Sequence, residues 1–441
     1  MRRLWILWLS LTVIVPSSVP AADEDVRQTW AKTHPAPIKS IDPDETDFDD
    51  LEGFGKAVGD ARIVFLGEQT HGDGATFLAK TRLIKYLHEK RGFDVLAFES
   101  GRLDCHKAWA AFLKAENTPL ENFEVGVFPI WAKSEQVQPL IRYLVKQAKG
   151  KTPLKLCGFD CQITGTGPRS ELSADVAGIL GRLPEGIFSR RQEGDTCVAF
   201  DKLADAARFP TPEEIELISK FRAAVLALKA DEKFKADEIA LWKTWLENLQ
   251  AVIDMKQADK VKAATIRETQ MAKNFLSLAS EKYAKRKIIV WAASYHLMRN
   301  PKSIDTLVAK SGGGVKREPT YHGSVIFGDE VSKKLGQEIY SVAFLAAGGE
   351  WKLMQSKEAT PVPTPRAGSL DDLLNKAGHK NAFVDLKGLP KDHWLRTSRI
   401  VARPFGYADT EALWPEVFDG FVFTNTMTPS EQVELMKIDD E

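Results

Sequence analysis

Short, uninterrupted apolar runs, each followed by a helical stretch, constrain this chain more than any other feature. Arg62-Ile63-Val64-Phe65-Leu66 and Asp94-Val95-Leu96-Ala97-Phe98 are too short for helices and show no alternation of apolar and polar residues, and Pro153-Leu154-Lys155-Leu156-Cys157, broken by Lys155, reads as a third strand. Strands of that kind are buried on both faces, as in a parallel sheet. Between them, Phe77, Leu78, Leu83, Ile84 and Leu87 fall on one side of a helix over 77–91, and a second helix covers 135–148. Right-handed crossovers in such a βαβαβ unit bring the three strand ends to one edge. The pattern predicts an α/β fold: a mostly parallel central sheet flanked by helices.

The rhythm breaks at about residue 168 and resumes at about 286. The intervening 168–285 predicts a long all-helical insertion that forms one wall of a cleft. Within it Thr211-Pro212-Glu213-Glu214 reads as a helix start, with Thr211 as N-cap, Pro212 at the first helical position and Glu214 closing a capping box. Two further long helices are expected over about 236–256 and 261–284. Strand character returns at 288–292, 339–345, 382–386 and 420–424. One α/β domain in two parts, 22–167 and 286–441, is therefore predicted, with a polar lead-in and a first helix over 49–60.

Met1-Arg2-Arg3 followed by the twelve-residue apolar run Leu4–Val15 resembles a secretory leader. As a helix that run would span only about 18 Å, short of the roughly 30 Å membrane core. Val19-x-Ala21 fits a cleavage site, so the expectation is a signal peptide over 1–21 and a secreted or periplasmic protein without stable membrane insertion. Loss of Arg2 and Arg3 takes the net charge from −1 to −3. That balance speaks against nucleic acid as a partner, because phosphate binding needs a basic excess. In an oxidising compartment Cys105, Cys157, Cys161 and Cys197 predict one or two disulfides of open connectivity.

The chemistry sits at the strand ends. Gly67-Glu68-Gln69-Thr70-His71-Gly72 follows the first strand, Glu99 the second, Asp160 the third, and Ser294-Tyr295-His296 the strand at 288–292. Open α/β sheets bind ligands at this edge. There is no G-x-S-x-G, H-E-x-x-H, Walker A or G-x-G-x-x-G motif. Acid–base chemistry by Glu68, His71, Glu99, Asp160 and His296 remains, or a divalent metal such as zinc or manganese held by the same residues.

At these residues the chain resembles the erythromycin (macrolide) esterase family over roughly 45–435. The resemblance rests on Leu66–Gly72, Phe98-Glu99, Cys157–Asp160, Arg267-Glu268-x-x-Met271-Ala272-x-Asn274, Val290-Trp291-Ala292 with His296, and Phe418–Phe423. It implies an α/β sheet with a helical insertion, and lactone opening by water with a histidine as general base and no covalent intermediate. By the resemblance His71 is that base, Glu68 and Glu99 are the motif carboxylates, and His296 is the later site histidine. Lys80 stands where the family usually has arginine; it keeps the charge and loses the two-pronged geometry. The family's Trp-Ala-His-Asn-x-His reads Trp291-Ala292-Ala293-Ser294-Tyr295-His296 here, so the first histidine is Ala293. This departure separates the ester-hydrolase expectation, which rests on His71 and Glu99, from macrolide hydrolysis itself.

The expectation is thus a hydrolase acting on a small-molecule ester or lactone, with His71, Glu68, Glu99 and His296 catalytic, Lys80 and Asp160 binding substrate, and no cofactor required. The alternatives are metal-dependent hydrolysis by the same cluster and an exported non-catalytic binding protein on this scaffold.

Overall fold

The structure, a computed structural model, describes residues 21–114, 119–205, 208–321, 323 and 325–433. The expected leader and its cleavage site lie almost wholly outside the described residues. No helix among the described residues is long and apolar enough to cross a membrane.

Seven strands make up most of a nine-stranded sheet. They are β1 (Ile63–Glu68), β2 (Val95–Gly101), β3 (Lys155–Asp160), β4 (Ile288–Ala293), β5 (Ile339–Trp351), β6 (Asn381–Asp385) and β7 (Gly420–Met427). Their order is β6-β7-β5-β1-β4-β2-β3. Pairing is parallel from β7 to β3, and β6 runs antiparallel to β7. The sheet is buried on both faces, as the continuous apolar runs require. Phe65, Val95 and Val290 pack on Phe275 and Phe327 on one side, while Leu66, Leu96, Phe98 and Trp291 pack on Phe77 and Trp131 on the other.

The strands extend two or three residues beyond their apolar runs. Glu68 and Asp160 are the final residues of β1 and β3, and Glu99 lies inside β2. Strand β4 inserts between β1 and β2, with Glu68 in register with Ala293 and Phe98 with Trp291. The return strand after the insertion is therefore the centre of the site edge. A second, four-stranded antiparallel sheet is built from 305–309, 315–319, 400–402 and 410–412; the strand signals described above did not include it.

Five helices, Thr166–Leu180, Arg190–Ala204, Pro212–Ala227, Ala236–Gln257 and Lys260–Ser277, fill the region between β3 and β4. They enclose their own core around Phe200, Phe221, Trp245 and Leu249. At the third of them Thr211 accepts from the Glu214 N–H and Glu214 reaches back to the Thr211 N–H, the capping box expected there. The disulfide expectation is corrected: all four cysteines are free. Cys105 and Cys157 face opposite sides of the sheet, Cys161 lies against the Met255 sulfur, and Cys197 packs on the helical core.

Candidate active site

Two glycines let the motif turn sit close to its neighbours. A Cβ on Gly67 would lie 2.8 Å from the Ser294 Cα, and one on Gly72 would lie 2.6 Å from the Lys352 carbonyl carbon. The Ser294 hydroxyl donates to the Gly67 carbonyl at 2.7 Å, so the turn after β4 rests directly on β1.

Glu68 is fully buried, and three donors converge on it. Its Oε1 lies 3.2 Å from His71 Nδ1 and accepts from the Trp131 indole N–H at 3.0 Å, while Oε2 pairs with Lys80. An ionised carboxylate only accepts, so the His71 proton belongs on Nδ1 and the lone pair on Nε2. The His71 side chain is one-third exposed and meets Trp131 edge-on at 5.2 Å. It is the most open titratable group of the cluster.

Lys80 is fully buried. It also donates to the Ala292 carbonyl at 3.3 Å, and its ammonium stands 4.0 Å from the centre of the Trp291 ring. Burial lowers its pKa to about 8 against the opposing pull of Glu68, Glu99 and Asp73. A single-point ammonium engages one oxygen of Glu68 and leaves the other to His71 and Trp131. Lys80, expected to bind substrate, stands as the buried counter-ion of Glu68.

A second network surrounds Glu99. Its Oε1 lies 2.8 Å from Arg267 Nη2 and 3.0 Å from His296 Nε2, and its Oε2 accepts the Ala293 N–H at 3.0 Å. Burial alone would raise the Glu99 pKa, but His296, Arg267 and His71 together hold it well below the carboxylate range. His296 is gripped on its other nitrogen by Glu268, whose second oxygen accepts the Phe327 N–H at 2.8 Å. Burial opposes its charge, yet Glu268 and Glu99 bring its pKa up to about 10. His296 is thus an imidazolium at neutral pH with both nitrogens engaged, and it has no lone pair to offer as a base.

Asp160 is fully buried and gives both oxygens to Arg267, at 2.6 and 3.2 Å through Oδ2, and to the Gln162 N–H. Asp160, expected to bind substrate, stands as the buried partner of Arg267. Ala293, in the position of the family histidine, is a buried strand end that contributes only its backbone N–H.

The predicted residues therefore gather, through β4, into two adjoining groups. Trp131, Arg267 and Glu268 complete them. Arg267 and Glu268 stood in the motif segments without a role; Trp131 had no sequence signal, since it enters on the four-residue helix Pro129–Ala132. For a metal the set is a poor fit. Glu68, Glu99 and Asp160 already carry lysine, arginine or imidazolium partners, and among the described residues no three His, Cys, Asp or Glu side chains cluster as ligands.

Comparison with known proteins agrees with this architecture. The model of the family described as erythromycin esterase matches residues 88–427. The chain is 28% identical over 459 residues to "Putative hydrolase YbfO" of Bacillus subtilis (strain 168), with 97% of each covered. It is 22% identical over 395 residues to "Erythromycin esterase type II" of Escherichia coli, covering 83% of this chain and 90% of that one. The solved structure of a mutant of the erythromycin esterase EreC in its open conformation superposes with a TM-score of 0.65 at 17% identity, over 91% of this chain and all of that one. The family model and the two sequence relatives support a hydrolase, and the structural likeness shows the shared fold. The chain belongs to the erythromycin esterase family.

Proposed function

We propose that this protein hydrolyses an ester or lactone bond of a small molecule by water attack, with His71 as general base and no covalent enzyme intermediate. The observation that carries the reading is the Glu68–His71 pair. Glu68 accepts the hydrogen bond from Nδ1–H, fixes the ring and leaves Nε2 of the one-third-exposed side chain to accept a proton from water. When that proton arrives, the buried Glu68 charge stabilises the new imidazolium. His296 and Arg267 hold Glu99 ionised, and Arg267, whose side chain is one-fifth exposed, is the cation that faces the developing oxyanion in this reading. No serine or cysteine takes part, so the acyl group stays off the protein.

The reaction is proposed to need no metal, since the carboxylates are already neutralised by side chains; full activity after dialysis against a chelator is expected. The protein is further proposed to be exported after cleavage behind Ala21, which amino-terminal sequencing of the mature form tests. The direct test of function is turnover on a panel of aryl esters, alkyl esters and lactones, followed by rapid mixing. Turnover without a burst of alcohol release is expected. A stoichiometric burst, or an acyl adduct by intact mass, overturns the mechanism. Tight binding of panel members without turnover favours the binding-protein alternative suggested by Ala293.

A further inference from the structure

Tyr407 is one of two described non-glycine residues with positive φ, at 61°. A tyrosine in this region costs of order 1–3 kcal/mol and persists only where its surroundings hold it there. Those surroundings are the His71 turn. The buried Tyr407 hydroxyl donates to Asp73 Oδ1 at 2.7 Å, and the ring lies 6.3 Å from Trp351. The neighbouring Gly406 N–H donates to the Gln69 carbonyl at 3.0 Å.

Asp73 is fully buried and passes the constraint on. It accepts from the Thr70 N–H at 2.6 Å and the Thr70 hydroxyl at 2.9 Å, and that hydroxyl accepts the Gly72 N–H at 3.0 Å. His71 is the apex of this turn. One foot, at Gln69, is held by Gly406; the other, at Asp73, is held by Tyr407. Both anchors come from one loop more than 300 residues away in sequence, next to the strand 410–412 of the small sheet.

We propose that Tyr407 is a positioning residue for His71, its hydroxyl fixing Asp73 and thereby the turn that aims the imidazole at the cleft. The inference deepens the proposed reaction and rests on His71 being its base. A placement error of about 1 Å in a reacting group costs up to about 100-fold in rate, so the clamp has catalytic consequences without touching substrate. The Tyr407 hydroxyl makes the Asp73 bond, and the buried ring fills space as phenylalanine would.

The test is Tyr407→Phe in the full chain, read by the ring resonances of isotope-labelled histidine, with His71 assigned from its absence in His71→Asn. The expected result is a displaced His71 signal and an altered His71 titration, with His88 and His296 unchanged, and a fall of about tenfold in kcat on an aryl ester with KM within twofold. A wild-type His71 signal in folded Tyr407→Phe overturns the proposal, as does a change spread equally over His88 and His296. Asp73→Asn provides a second route should Tyr407→Phe not fold; it keeps one acceptor and must disturb His71 in the same way. If the wild type turns over no ester while Tyr407→Phe still moves His71, the positioning stands and the proposed reaction falls.

Discussion

Replacing Glu268 with glutamine should convert His296 from a fixed cation into a titrating group. In the folded protein its pKa is about 10 against 6.5 for the free side chain. At about 1.36 kcal/mol per pKa unit, that difference is a preference of about 5 kcal/mol for the charged ring. Burial works against it, so the two carboxylates, Glu268 and Glu99, supply all of it. Glu268→Gln keeps the shape and an acceptor for Nδ1 but removes one of the two charges. At least half of the effect should go, bringing the pKa to about 8 or below. The folded pKa is raised, so this stabilisation is complete below pH 6.5 and is lost as the pH rises through about 10. The stability gap to the wild type should therefore be about 2–3 kcal/mol larger at pH 6 than above pH 10, where only the pH-independent loss of the Phe327 N–H acceptor remains. Histidine ring resonances across pH give the pKa, and urea unfolding at pH 6 and pH 10 gives the stability. A variant His296 that still titrates near 10, or a stability gap that does not narrow between pH 6 and high pH, refutes the assignment of His296 as a carboxylate-held imidazolium.

Three more perturbations have defined outcomes. Lys80→Met leaves the buried Glu68 without its counter-ion and should lower stability by about 3–5 kcal/mol in chemical unfolding, whereas Lys80→Arg should retain most of it. Trp131→Phe keeps an aromatic edge near His71 but removes the indole donor to Glu68; kcat should fall about tenfold with KM little changed, as measured on whichever ester the panel identifies. Gly67→Ala places a methyl 2.8 Å from the Ser294 Cα and should cost about 1–3 kcal/mol, read as a lowered Tm.

Parallel strands announce themselves as continuous apolar runs, so the strand ends and the residues on them were readable: Glu68, Glu99, Asp160 and His296 meet where the topology brings them. Strand order was not readable. Nothing local in Ile288–Ala293 says that it inserts between β1 and β2, yet this insertion joins the His71 group to the Glu99 group. Charge along the chain marks which side chains gather at this edge but not which of them are buried against one another. Lys80 and Asp160 are buried counter-ions, a fact of burial that spacing along the chain does not carry. Glu268 and Arg267 lie in the helix Lys260–Ser277, where helical periodicity marks faces but not which face meets a distant strand end. Tyr407 owes its position to a backbone conformation that favours glycine, and a tyrosine there gives no sequence signal. The disulfide expectation came from an even cysteine count in an oxidising compartment, whereas the packing leaves Cys105 and Cys157 on opposite sides of the sheet, Cys161 against Met255 and Cys197 on the helical core.

The claim on which the rest depends is that His71 removes the proton from water. The most direct measurement is ester turnover by His71→Ala beside the wild type, with folding of the variant checked by its Tm. A general base contributes about 100- to 10,000-fold, so the account predicts a loss of kcat in that range with the fold intact. Wild-type turnover in folded His71→Ala would contradict it.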